Sequence, residues 1–236
     1  MFKSISSKLQ PADNSTKDLK LKTNEDFRPI NEASNTSRTE LEIENHAAWR
    51  RKKSFRIALM SVFSALAVVL GYMLAFLINI EVFTLFIFMS GFVLSKKEGM
   101  LIGLISSAIF TFFNPMGSSV VSPPLFVYQL IHYSSTGFLG GLTKDFLKSK
   151  SFYKPNEDLY NIKLMLIFGT IGGIITFSYD ILSTLIGGFI YSPTIEGILI
   201  IYLNGIVVTT IHLVGNILGF VFILPGLIQV VLKIID

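Results

Sequence analysis

The stretch "ITFSYDILSTL" sets Asp180 inside an apolar run. A carboxylate there must meet a donor, a cavity or a partner helix, because charge is expensive in hydrocarbon. Two readings stand side by side: an acceptor that contacts a ligand, or one half of a helix–helix hydrogen bond to a Ser or Thr. A second set lies in "NGIVVTTIHLVGN", where Asn204, His212 and Asn216 are spaced by eight and four. On a helix of 3.6-residue period these fall within one arc, a polar stripe that would line something wet. His212 reads equally as a satisfied core histidine or a ligand contact, and Asn216 equally as packing. A third set follows Pro123-Pro124. Tyr128 and His132 are i,i+4 neighbours there, and Gln129 and His132 are i,i+3 neighbours. The Gln129 amide both donates and accepts, whereas Tyr128 reads equally as an interfacial anchor. Asn79, Glu81 and Asn114 stand beside the ends of apolar runs. Glu81 also suits a helix N-terminus, and so does Glu196, where Thr194 resembles an N-cap.

Other chemistries find no support. There is no G-x-S-x-G elbow, no H-E-x-x-H and no Gly-Lys-Ser/Thr phosphate loop. The cysteine count is zero, which removes disulfides, thiolate metal sites and Cys nucleophiles. His46, His132 and His212 are too scattered to argue for a metal. The expectation is therefore a non-catalytic protein with no cofactor, the alternatives being a membrane-embedded enzyme with Asp180 and His212 as acid and base, or an assembly protein that only docks partners. Lacking a phosphate loop, the chain cannot drive transport with ATP by itself.

These residues need elements to hold them, and the composition says which. The 236 residues are 51% hydrophobic and 15% charged, with mean hydropathy +0.60. Residues 1–53 are rich in Asn, Ser, Thr, Lys and Glu, which predicts a disordered polar tail. Residues 54–236 are far more apolar than a soluble domain and read as an integral membrane domain. The apolar run from Phe55 is long and lacks a small-residue cleavage site, so it reads as a retained anchor. A membrane helix needs roughly 20 apolar residues. Candidate spans are 55–78, 82–94, 100–113, 125–142, 162–189 and 195–224, the last closed by Pro225-Gly226 with an amphipathic end reaching Lys233. The expected fold is all-α, a six-helix transmembrane bundle.

Six spans put both termini on one side. "RRKK", "SKKEG", "TKDFLKSKSFYKPNED" and Lys233 then share that side, while "LINIE", "NPMGSSVVSPP" and "GGFIYSPTIEG" lack Lys and Arg and share the other. The positive-inside rule makes the first set cytoplasmic, in a multi-pass protein of the cell membrane. Basic clusters confined to span ends are a bilayer signature, not a nucleic-acid groove, so no nucleic-acid partner is expected. Small residues recur along the first span as Ser61-x-x-x-Ala65 and Ala67-x-x-x-Gly71. Such spacing lets helices approach closely, inside the bundle or against a partner subunit.

Taken in order, these patterns resemble the substrate-binding S component of energy-coupling factor (ECF) vitamin transporters. The resemblance covers about 55–234 and omits the tail. "INIEVFTLFIFMSGFVLSKKEGMLIGLISSAIFTFF" is similar to the family's first outer loop and spans two and three. "NPMGSSVVSPPLFVYQLI" is similar to its third loop and fourth-span start, "YDILSTL" to its fifth-span Asp motif, and "IHLVGNILGFVFILPGL" to the end of span six. The resemblance implies capture of a vitamin or vitamin precursor from outside. It also implies a transmembrane coupling subunit and two cytoplasmic ATPases as partners. The family's first span often carries an Ala-x-x-x-Ala docking motif. Ser61-x-x-x-Ala65 departs from it by one residue, and Ala67 and Gly71 extend the docking candidates. Asn79, Glu81, Asn114, Tyr128, Gln129, His132, Asp180, Asn204 and His212 are the substrate-binding candidates.

Overall fold

Every apolar run that lies within the described residues is helical. The computed structural model describes residues 53–74, 82–114, 117–155 and 158–235, and no strand occurs among them. The expected disordered tail, Asn79 and Glu81 fall outside the described residues. In chain order the helices are α1 (Lys53–Leu74), α2 (Val82–Val93), α3 (Lys96–Phe112), α4 (Pro123–Leu147), α5 (Ile162–Tyr191), α6 (Ile195–Leu218) and α7 (Leu224–Ile235). Among the described residues three helices are long and apolar enough to cross a membrane: α1, α5, and the 41-residue helix Ile195–Ile235 that includes α6 and α7. Large aliphatic residues such as Leu199, Val207 and Val214 lie exposed along that helix. Such a surface suits a hydrocarbon solvent better than water.

The shortest apolar helix is the most enclosed. Along α2 all residues from Phe83 to Val93 except Phe86 are buried. Its sequence, "VFTLFIFMSGFV", carries no charge and no polar group larger than Thr or Ser, so any of its faces can be buried. Glycines let α3 and α4 close on it. Methyl groups at Gly91, Gly99 or Gly137 would overlap one another's backbones, one at Gly140 would strike the Phe88 carbonyl, and one at Gly103 would strike the Tyr133 carbonyl. Close backbone approach of this kind is what small residues contribute to helix association in lipid. Below it, Phe88, Phe92, Phe168 and Phe220 pack together, with Phe92 edge-on to Phe168 at 5.6 Å.

The first helix joins this core by side chains. Ala67 is fully buried, and Gly71 lies beneath the rings of Phe83 and Phe110. The Tyr72 hydroxyl donates to the Ile109 carbonyl at 3.1 Å. Ala67 and Gly71 are thus used in this chain's own packing, while Ser61 and Ala65 lie exposed on the opposite face. The two small-residue pairs are offset by six residues, which places them far apart around a helix of 3.6-residue period.

Caps and charges organise the Lys-rich end. Ser95 caps α3, accepting from the Glu98 N–H at 3.4 Å and donating to Glu98 Oε2 at 2.9 Å. Lys144 donates to the Val93 carbonyl at 2.6 Å, where a cation also complements the C-terminal dipole of α2. Asp145 bridges Lys96 at 2.9 Å and Lys148 at 3.1 Å. Hydrogen bonds from these two lysines hold its carboxyl below the usual carboxylate range.

One boundary differs from expectation. Pro225-Gly226 does not close the last span. The helix widens into a π turn over Gly219–Ile223 and runs on as α7. Proline has no N–H to give, and its ring crowds the carbonyl four residues back. A wider turn, in which the Leu224 N–H reaches the Gly219 carbonyl, relieves that crowding. The Tyr160 hydroxyl supplies a donor to the Phe222 carbonyl at 3.0 Å.

Candidate functional site

Asp180 and His212 meet. His212 Nδ1 lies 2.8 Å from Asp180 Oδ1, in a hydrogen bond that a carboxylate accepts from the ring N–H. Their side chains are 12% and 8% exposed. Asp180 sits near the middle of α5 because a continuous apolar period carries the helix through it. Thr194 sets the start of α6, accepting from the Gly197 N–H at 3.1 Å as its sequence context predicts. The short 192–194 connection forces α5 and α6 antiparallel, which brings position 212 back to the level of position 180.

That register continues inward. Four residues from the pair, toward the Lys-rich end, stand Thr176 on α5 and Asn216 on α6, both buried. Four residues further, the ring of Phe220 fills the notch at Gly172. Thr176 and Asn216 are therefore bracketed by two observed contacts of the same register and share one level of the seam. Thr176 Oγ1 and Asn216 Nδ2 nonetheless have no hydrogen-bond partner, and neither has Asp180 Oδ2. A buried polar atom without a partner costs about 1–3 kcal/mol. Several such atoms lie along one seam, and buried polar groups are ordinarily hydrogen-bonded.

The fourth helix closes the site from the side. Gln129 Nε2 donates to the Tyr179 hydroxyl at 2.9 Å, and Gln129 Oε1 is buried with no partner. The Tyr128 hydroxyl donates to the Ser178 carbonyl at 3.2 Å and stands 3.5 Å from His132 Nδ1. Tyr179 is the hub. Its ring lies 4.9 Å from His132, 5.8 Å from Tyr133, 6.0 Å from Tyr128 and 6.3 Å from His212. Backbone carbonyl, amide, imidazole and phenol thus alternate around one ring.

Before α4, the chain turns at Gly117, whose φ of 128° is open to glycine and strained for other residues. A single 3₁₀ turn, Ser119–Val121, follows, and Pro123 occupies the first position of α4, where no N–H is needed.

Of the nine binding candidates, the structure gathers Tyr128, Gln129, His132, Asp180 and His212 into one cluster. Asn114 lies at the end of α3, half-buried, with its carbonyl accepting from the Gly117 N–H at 3.0 Å. Asn204 is exposed and stands apart. Its eight-residue spacing from His212 leaves it about 80° around the helix and two turns outward, too far to share the buried face. Asn216 does share it. The reading of Asp180 as bonded to Ser or Thr gives way to His212 as its partner. Thr176, Tyr133 and Tyr179 belong to the cluster without having stood out in the sequence. Thr176 was accessible as the i−4 neighbour of Asp180, and Tyr179 as its immediate predecessor. Among the described residues no group of His, Cys, Asp and Glu could hold a metal ion.

A comparison with family models, curated proteins and solved structures finds no match to this chain.

Proposed function

We propose that the chain is a membrane-embedded substrate-capture subunit, of the kind the ECF S components represent. It would take a vitamin or vitamin-like solute from outside and hand it to a transmembrane coupling subunit driven by two cytoplasmic ATPases. The observation that carries the reading is the cluster of Gln129, Asp180, Thr176 and Asn216. Its unpartnered polar atoms lie buried within an otherwise apolar helical domain. A few convergent polar groups set in apolar walls are what a small-molecule site needs.

In this reading α2, α3 and α4 complete six spans, with both termini cytoplasmic. At about 18 Å, a 12-residue helix such as α2 is shorter than the hydrocarbon layer. Its enclosure by neighbours makes the short length tolerable, since little of its own surface need face lipid. Single cysteines test the topology in a chain that has none of its own. Cysteines at Ser118 and Ser192 should label on intact cells, and one at Ser149 only after permeabilisation. Labelling of Ser149 from outside would sink the six-span arrangement. The binding role is tested by mass spectrometry of small molecules that co-purify with the detergent-solubilised chain. A solute retained by the native chain and lost on Gln129→Ala supports capture. The Asp180–His212 hydrogen bond also supports a second reading, acid–base chemistry in a membrane-embedded enzyme. That reading requires the co-purified solute to be chemically changed over time.

A further inference from the structure

The seam between α5 and α6 is short of positive charge. No Lys or Arg occurs between Lys163 and Lys233. The titratable groups around the pair are Tyr179 on α5 and Tyr128, His132 and Tyr133 on α4, and α2 offers none. His212 satisfies one carboxylate oxygen of Asp180, and the other is buried without a partner. Thr176 Oγ1 and Gln129 Oε1 are further buried acceptors left over.

Small residues continue outward from the pair. Gly187 and Gly205 stand seven residues outward from Asp180 and His212, on the same stripes of their helices. A methyl group at either would meet no described atom within 4 Å. Nearer the end of α5, Gly188 is met by Ile198. The two helices are therefore in contact beside the stripe, while the glycines on the stripe itself are uncrowded.

We propose that this seam recognises the positively charged nitrogen of a small organic cation. The inference rests on the binding role proposed for the same residues and adds the charge class of the ligand. An ammonium-type nitrogen would donate to Asp180 Oδ2 and Thr176 Oγ1 and, beside a neutral His212 ring, supply the carboxylate's counter-charge in a medium of low dielectric. The rings of Tyr128 and Tyr179 offer π faces that attract cations. An anion would meet a carboxylate, with neither Lys nor Arg to offset it.

The test uses the full chain in detergent with three probes of one ring size: benzylammonium, benzyl alcohol and benzoate. Thermal unfolding midpoints are followed against probe concentration at neutral pH. Benzylammonium should raise the midpoint at concentrations at least about tenfold lower than benzyl alcohol, and benzoate should not raise it; tenfold in affinity is about 1.4 kcal/mol. Asp180→Asn should erase the difference between benzylammonium and benzyl alcohol. Thr176→Val, which keeps the charge and shape, should narrow it, and serves if Asp180→Asn fails to fold. Equal shifts by the three probes, a preference for benzoate, or no shift with benzylammonium overturns the inference. A neutral or anionic co-purifying solute would likewise overturn it while leaving the capture role intact. Benzylammonium preference in a chain that retains no solute would support the cation site and count against the capture role.

Discussion

Where α4 meets α2 and α3, backbone lies against backbone. Gly137 faces Gly99, Gly140 faces Phe88, and no methyl group fits between them. Where the same helix meets α5, contact runs through long side chains: Tyr128 to the Ser178 carbonyl, Gln129 to the Tyr179 hydroxyl. The first interface is dry, and shape holds it together. The second leaves the Gln129 carbonyl oxygen unpartnered, and Asp180 Oδ2 and Thr176 Oγ1 stand unpartnered on the adjoining α5–α6 seam. Gln129 and Gly140 lie eleven residues apart on one buried stripe of α4, so the two regions differ in level along the helix, not in face. Tight backbone packing occupies the second half of α4, and under-satisfied polar contact occupies its first turns.

The largest test strikes the dry side. Gly137→Val places branched carbons where the Gly99 carbonyl already lies. Overpacking at such a site costs about 3 kcal/mol or more, and the expected outcome is loss of the monodisperse peak in size-exclusion chromatography. A well-behaved Gly137→Val protein would mean the glycine seam is not the scaffold. Next is His212→Ala, which strips the donor from Asp180. A buried hydrogen bond to a charged group contributes about 1.5–3 kcal/mol, so the thermal midpoint should fall clearly. Substitution of Asp180 and His212 together should cost less than the sum of the single changes.

Gln129→Ala probes the first turns of the same helix. It should weaken binding of the co-purifying solute by about 1–3 kcal/mol through the lost hydrogen bonds, with a smaller change in the unliganded midpoint. If stability falls as far as with His212→Ala while binding holds, the contrast between the two regions disappears. Gly205→Ala sharpens the contrast from the opposite direction. With open space around it, the added methyl should leave stability unchanged or raise it by up to about 1 kcal/mol through helix propensity. The same change at Gly140 should be damaging.

The smallest effect is expected at the exposed Lys-rich end. The Asp145 carboxyl is held below its usual range by hydrogen bonds from Lys96 and Lys148. Its contribution should be fully present above the ordinary carboxylate range and lost as pH falls through the lowered value. Asp145→Asn should flatten that acid-side decline slightly. High salt should do the same, because exposed ion pairs are weak and screened.

The sequence by itself determined what depends on neighbours a few residues apart. Apolar runs located the helices, Thr194 announced its own capping role, and Tyr128 and His132 were paired by i,i+4 spacing alone. Those inferences work because helix period and capping are local. Which face meets which helix is not local, and only the tertiary structure decided it. It turned Ala67 and Gly71 inward and left Ser61 and Ala65 outside. It carried the last helix through Pro225 by a π turn whose opened carbonyl is met by Tyr160, sixty-two residues away in sequence. It gave Asp180 to His212, thirty-two residues away in sequence, and so set Thr176 opposite Asn216. An antiparallel register that brings Asp180 and three buried polar residues to two adjacent levels follows from the length of one turn and the packing on either side. No window of sequence short enough to show a period contains both.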